Sequence, residues 1–510
     1  MSYVATTKAE IDAYVSTLRS TFLSNKTKPL EYRRTQLKKF WEAMDAHEVE
    51  FQQALAKDFG KPPEEVILTE TNTLKAEAIE VMQALPKWIK DEKGHANFPF
   101  NLAGPKIQKT PLGASLIIGA WNYPLFVTFG PLIGAIAAGC PCVIKPSELA
   151  PETAAVMQRA IHKHLDPTAY RVVLGAVEET THLLAQKWGT IFYTGGGNVG
   201  RIVATAAAKH LTPVTLELGG KNAVILTKNS DLNLAAKRIA WGKVTNAGQT
   251  CVAPDFILFV DTGLEEKFIA AWKKSVAEFY PGEAWRKPGK YTRIVNENHY
   301  KRITKLLKDT RGRVVSGGFT DASQRLIEPT LVAGCTPEDS LMSEEIFGPV
   351  LPMLNMSSLN EAISFLQGRD ASLALYIFTS DKSESEKLLS SVTSGGAMIN
   401  DVLSHCALTS MPFGGVGESG TGAHNGIYGF NAFTHQRTVV NQPAWLELLF
   451  GVRYAPYTPS KMKQLAALAP KKFWNADYSE RSRLVKILRF TLTLGALIGA
   501  YRYVKIQARL

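Results

Sequence analysis

The feature that most constrains this chain is a change of apolar period. In residues 8–90, apolar residues recur at helical spacing, through Ile11, Tyr14, Val15 and Leu18 and again through Leu37, Phe40, Trp41 and Met44. Residues 98–110 are punctuated by Pro and Gly and read as extended. From Pro111 onward, short apolar runs alternate with helical stretches. Residues 114–119, 141–145, 170–174 and 190–194 read as buried strands. Helices are predicted near 124–139, 152–165 and 198–210. That alternation predicts a doubly wound parallel sheet, which binds ligands beyond the carboxyl ends of its strands. A second alternating region runs from about 222 to 410, with strands at 223–226, 256–260, 373–378 and 396–400. A Gly-rich loop follows at 411–422. The pattern predicts two α/β domains joined near 215–220.

Charge and cysteine content narrow the function. The net charge of +12 is unevenly placed: residues 451–510 hold twelve Lys or Arg against Asp477 and Glu480, so they carry +10. The preceding 450 residues carry only +2. With no zinc-finger spacing or basic repeat, nucleic acid is not an expected partner. Cys140, Cys142, Cys251, Cys335 and Cys406 are too few and odd in number for a secreted disulfide framework. Cys140 and Cys142 read as buried structural thiols. The first residues, MSYVATTKAEIDAYV, lack the apolar core of a signal peptide.

Several segments carry chemistry only in combination. Cys251, in Asn246-Ala247-Gly248-Gln249-Thr250-Cys251-Val252, would be an ordinary buried thiol if it stood alone. As a thiolate it would be a nucleophile. Glu217, beside Gly219 and Gly220, reads as a surface carboxylate or as a general base on water. Asn122, in Trp121-Asn122-Tyr123-Pro124, follows a strand, where it is a turn residue or an oxyanion donor. Lys145 and Glu148 end another strand, as a surface pair or as ligands of ribose hydroxyls. A Glu there would repel a 2′-phosphate, which favours NAD over NADP. Gly195-Gly196-Gly197-Asn198-Val199-Gly200 matches G-x-G-x-x-G between a strand and a helix. Its usual ribose acid falls about 20 residues on, near Glu217, so two roles compete for that carboxylate. Glu344-Glu345-Ile346-Phe347-Gly348-Pro349-Val350 and the glycine-rich run 412–420 complete the set.

Taken in chain order, these seven segments resemble the aldehyde dehydrogenase superfamily over roughly residues 8–440. The details are similar to its class 3 branch, which includes fatty aldehyde dehydrogenases. The finer likeness lies in residues 248–255, in Phe433-Thr434-His435-Gln436-Arg437, in Arg453-Tyr454-Ala455-Pro456-Tyr457 and in the short N-terminal region. The resemblance assigns Cys251 as nucleophile, Glu217 as general base and Asn122 as oxyanion donor. It places Lys145 and Glu148 at the adenine ribose, Gly195 to Gly200 near the pyrophosphate, and Glu345 and Phe347 at the nicotinamide ribose and ring. The implied cofactor is NAD, with NADP possible, and no metal is expected. Two departures stand out. Gly196 occupies a position where family members usually carry Ser or another residue, and Ala423-His424-Asn425-Gly426 replaces the usual Tyr-His-Gly.

The resemblance implies an aldehyde dehydrogenase-like fold with residues 1–217 binding NAD, except for about 95–110, which join a bridging β element. Residues 218–418 are expected to be catalytic, 419–445 to return to the bridging element, and 446–483 to form a basic linker. Residues 484–506 are apolar, but only 490–501 lack charge, short of the roughly 20 residues of a spanning helix. Lys486, Arg489, Arg502 and Lys505 would snorkel from its ends. The alternative is an amphipathic helix packed on the body. Expectation settles on a C-terminal membrane anchor, a cytosol-facing homodimer and a lipophilic aldehyde substrate, long-chain or else apocarotenal or aromatic. An acylating enzyme using coenzyme A, or an inactive membrane scaffold, is disfavoured by the intact Cys251, Glu217 and Asn122.

Overall fold

The computed structural model describes residues 3–261, 263–469, 472 and 474. Two compact units emerge: one of residues up to 92 with 107–438, the other of 93–106 with residues from 439 on. In the smaller unit, Ala103, Leu446 and Phe450 form an apolar cluster, and the Phe100 and Phe450 rings lie 5.2 Å apart.

The larger unit opens with helices Lys8–Leu23, Leu30–Ala46, Glu48–Phe59 and Asn72–Trp88. The first begins with a reciprocal cap, in which Thr7 accepts from the Glu10 N–H and the Glu10 carboxylate accepts from the Thr7 N–H. Leu37, Phe40, Leu55, Leu74, Val81 and Leu85 are fully buried. They share one core with helix Phe126–Ala138, which is apolar almost all round because it is covered almost all round. Phe40 meets Phe129 edge-on at 5.6 Å. Burying each such ring contributes about 2–3 kcal/mol.

The first sheet has six strands. Across it they run Gly420–Thr421, Val214–Glu217, Ile191–Thr194, Ser115–Ile118, Cys142–Lys145 and Tyr170–Val172. All pairs are parallel except the one made by Gly420–Thr421, which runs antiparallel to Val214–Glu217. Ser115–Ile118 is first in sequence yet central in space, so successive connections leave it in opposite directions. That reversal opens a crevice at the carboxyl edge. Asn122, Lys145, Glu148, Gly195 and Glu217 all lie at or just past strand ends on that edge.

The second sheet has seven strands: Arg313–Ser316, Thr330–Ala333, Val350–Met356, Phe256–Val260, Ala223–Thr227, Ala374–Phe378 and Gly396–Ile399. Only Arg313–Ser316 is antiparallel. Residues like Val224, Ile225, Ile257 and Leu258 are wholly buried, as strands covered on both faces require. Each of the two expected doubly wound sheets thus carries one antiparallel edge strand. The candidate residues here precede their strands, Cys251 before Phe256–Val260 and Glu345 and Phe347 before Val350–Met356. The rule of carboxyl ends therefore serves the first sheet, while the second contributes amino ends.

The expected apolar segment 484–506 lies outside the described residues. Among the described residues no helix is long and apolar enough to cross a membrane.

Candidate active site

The chain enters Cys251 through strained backbone. Asn246, Ala247 and Gly248 are all left-handed, with φ of 53°, 52° and 69°. For the two residues bearing a Cβ this conformation costs on the order of 1–3 kcal/mol each. Local hydrogen bonds hold it. The Asn246 N–H donates to Glu65 Oε2 at 2.9 Å, and its amide donates to the carbonyls of Asn122 (2.9 Å) and Gln249 (3.0 Å). Gln249 donates back to Asn246 O and to Arg293 O, and accepts from the Val295 N–H. Beyond Cys251, the Asn222 amide donates to the Cys251 and Ala253 carbonyls at 2.8 and 3.0 Å. The Tyr376 hydroxyl donates to Val252 O at 2.5 Å. The backbone on both sides of the thiol is therefore fixed.

Asn122 is 3% exposed, and its amide donates to Gln249 O at 3.1 Å. An amide nitrogen carries two N–H groups, so this bond uses one of them. The next residue, Tyr123, shares a hydrogen bond of 2.7 Å with the Thr250 hydroxyl. The two turns that carry Asn122 and Cys251 are thus laced together.

Glu217 ends its strand, and its carbonyl accepts from the Gly195 N–H at 3.0 Å. Its carboxyl is buried, 3% exposed, and neither oxygen has a hydrogen-bond partner. Burial holds that carboxyl well above the ordinary carboxylate range. Burial also pushes the Cys251 thiol up to about 12, with the Glu345 and Glu217 charges adding to it. Cys251 and Glu217 line one cavity of about 240 Å³. Its remaining wall is largely apolar, with Leu68, Phe126, Trp241, Leu403 and Phe413. Cys406 lines it too, and burial raises that thiol as well.

Glu345 and Phe347 lie on a clamped turn. Lys221 Nζ donates to Asp255 Oδ2 at 2.5 Å, and Asp255 Oδ1 accepts from the Ile346 N–H at 3.1 Å. Arg302 donates to the carbonyls of Glu345 and Ile346. Phe347 takes φ 48° and meets Trp121, the neighbour of Asn122, edge-on at 5.4 Å. The Glu345 carboxyl is pushed up to about 8 by burial and then by Asp255. It faces Gly219, where any Cβ would collide with it.

The carboxyl edge of the first sheet suits a dinucleotide. Helix Gly197–Ala208 begins after Gly196 with no side-chain cap, leaving its first N–H groups for an anion. A Cβ at Gly195 would strike Tyr193, whose hydroxyl donates to Gly196 O at 3.2 Å. A Cβ at Gly200 would crowd Leu218. Lys145 donates to Glu148 at 2.9 Å and to Pro146 O at 3.0 Å. A polar cavity of about 570 Å³, lined by Gly219, Lys221, Glu345 and Arg369 among others, adjoins the Glu345 turn. Among the described residues no cluster of metal-ligating side chains occurs.

The aldehyde dehydrogenase family model matches residues 1–439. The chain belongs to the aldehyde dehydrogenase family. It is an oxidoreductase acting on aldehydes, and the family uses NAD or NADP. It is 42% identical to aldehyde dehydrogenase family 3 member H1 of Arabidopsis thaliana over 473 residues, 92% of this chain and 96% of that protein. It is 42% identical to a β-apo-4′-carotenal oxygenase of Neurospora crassa, over 91% of this chain and 86% of that protein. A solved structure of the substrate-bound state of AldH from Staphylococcus aureus superposes with a TM-score of 0.86 at 40% identity. That likeness covers 90% of this chain and 99% of that one.

In this aldehyde dehydrogenase the predicted residues just named fall into two groups. Cys251 and Glu217 share a cavity, Asn122 reaches the backbone two residues before Cys251, and Glu345 acts on the thiol electrostatically. Lys145 and Glu148 pair with each other. Of the supporting residues, Asn222, Tyr376 and Glu65 stand outside the sequence motifs, and Gln249 stands inside the Cys251 motif without a role of its own. Only Asn246, before Ala and Gly, offered a signal, because Asn tolerates the left-handed region.

Proposed function

We propose that this enzyme oxidises lipophilic aldehydes to carboxylic acids, with Cys251 as nucleophile, Glu217 as general base and Asn122 as oxyanion donor. The observation that carries the reading is the shared cavity: a fixed thiol, an unpartnered buried carboxyl and an apolar wall. Cys251 Sγ would add to the aldehyde carbon. The developing oxyanion would take the remaining Asn122 N–H and the Cys251 N–H. When bound, the oxidised nicotinamide supplies a positive charge that favours the thiolate and a hydride acceptor that leaves an acyl group on sulfur. Glu217 then takes a proton from water, the water oxygen joins the acyl carbon, and the carbon–sulfur bond breaks. Glu345 and Phe347 would hold the nicotinamide ribose and ring, Lys145 and Glu148 the adenine ribose, and Gly195 to Gly200 the pyrophosphate.

The two sheets are read as a cofactor-binding part ending near 217 and a catalytic part over 218–418. The enzyme is further read as a homodimer attached to a membrane by its C-terminal tail, with the catalytic part facing the cytosol. Apocarotenal oxidation is the second substrate reading, favoured by the name of the Neurospora crassa relative and by the aromatic wall of Phe126, Trp241 and Phe413. Steady-state rates over straight-chain, aromatic and polyene aldehydes, with NAD and with NADP, test these readings. Highest kcat/KM for long apolar aldehydes is the expected outcome. A preference for short polar aldehydes would overturn the substrate class, and a thioester product on adding coenzyme A would overturn hydrolysis.

A further inference from the structure

His424 lines the cavity that holds Cys251 and Glu217. The register of the chain puts it there. Gly420 pairs with Glu217 and Thr421 with Leu216, and Gly422 packs against the Thr215 side chain. The backbone then pairs His424 with Phe413 in both directions, at 2.8 and 3.1 Å. The imidazole stands edge-on to Phe192 and Phe413, with centroids 5.4 and 5.3 Å away. Phe192 and Thr194 share one face of their strand, and Thr194 is the register partner of Glu217. The imidazole therefore sits on the same wall as the carboxyl.

Both groups carry buried polar atoms that make no direct hydrogen bond. His424 is 5% exposed and its Nδ1 has no hydrogen-bond partner, like both oxygens of Glu217 at 3% exposure. The buried Asn425 side chain beside it acts on the ring as a hydrogen-bonding neighbour, in the direction opposite to burial. Buried polar atoms without partners are rare, and two such groups on one cavity wall point to a small polar ligand. This run is also where the chain departs from the family's Tyr-His-Gly.

We propose that His424 is a positioning residue for hydrolysis, holding the attacking water together with Glu217 opposite the acyl carbon on Cys251. The proposal rests on the roles of Cys251 and Glu217 above. The water donates one hydrogen to Glu217 and the other to the imidazole. Its oxygen adds to the thioester carbon and one proton passes to Glu217. The carbon–sulfur bond then breaks and the sulfur recovers that proton, so thioester and water become acid and thiol. Burial pushes His424 down to about 4, which keeps the ring neutral and able to accept that hydrogen bond.

A nitrophenyl ester of a fatty acid acylates an active thiol without any cofactor, so it isolates this step. The intact enzyme should give a burst of nitrophenolate followed by slower turnover. In His424→Phe, which preserves the aromatic packing, the burst should keep its rate and amplitude. Steady turnover should fall by at least about tenfold, and the acyl-enzyme should accumulate by intact mass. His424→Gln, which restores a hydrogen-bond acceptor, should recover part of the loss. Unchanged deacylation in both variants would overturn the proposal, as would an equal fall of burst and turnover in both. A burst that survives in Cys251→Ala would instead remove the nucleophile assignment on which the proposal stands.

Discussion

At the residue scale, Glu217 carries two opposed demands. In the proposed cycle it is ionised to take a proton from water, yet its burial favours the neutral form. A carboxyl raised in the folded state stabilises the fold below its ordinary value, near 4.5, and that contribution is lost as pH rises toward the folded value. Glu217→Gln is neutral at every pH. Its melting temperature should therefore match that of the unmodified enzyme at acid pH and exceed it increasingly above 4.5. Melting curves across pH check this, and a difference that shrinks as pH rises would contradict it.

At the scale of elements, the π-helical turn Ile67–Thr71 joins the N-terminal helices to the site. Such turns are rare and often functional. Here the turn directs Glu70 inward to a fully buried ion pair with Lys61, at 2.6 Å. Glu70 also accepts from the N–H groups of Leu125 and Phe126, at the start of helix Phe126–Ala138. Leu68 and Thr69 of the same turn line the cavity. Lys61→Met leaves that carboxylate buried without its partner and should cost about 3–5 kcal/mol of unfolding free energy, read by denaturant titration. A loss below about 1 kcal/mol would contradict the account.

Elements of this kind were the least legible in the sequence. The strands at 114–119, 141–145, 190–194, 223–226 and 256–260 could be read because strands covered on both faces are continuous apolar runs. Val214–Glu217 and Thr330–Ala333 were missed, the first because its end is already the Glu217 motif and the second because Thr and Gly interrupt its surroundings. Edge pairing by Gly420–Thr421 could not be read from two residues inside a glycine-rich run. The candidate residues themselves stand in the sequence as motifs. The hydrogen bonds that fix them were not, because Asn222, Gln249 and Tyr376 act on backbone atoms that only the fold brings near.

At the scale of the whole molecule, charge separates the catalytic body from the tail. Residues 451–510 carry +10 and the rest +2, so any attraction to an anionic surface would fall to the tail. Under the membrane reading, the full chain should sediment with vesicles containing anionic lipid at physiological salt. A chain lacking residues 484–510 should stay in the supernatant with its aldehyde oxidation intact. Sedimentation of the shortened chain would place the attachment elsewhere. A lipophilic aldehyde held in the same bilayer would then reach an apolar cavity lined by the proposed reactive groups, Cys251 Sγ and the Glu217 carboxyl.

Everything in the proposed cycle passes through Cys251. The rate of aldehyde-dependent nicotinamide reduction by Cys251→Ala, with folding matched by its melting curve, tests the account most directly. The account predicts a fall of at least about 10⁴-fold. A variant within tenfold of the unmodified enzyme would contradict it.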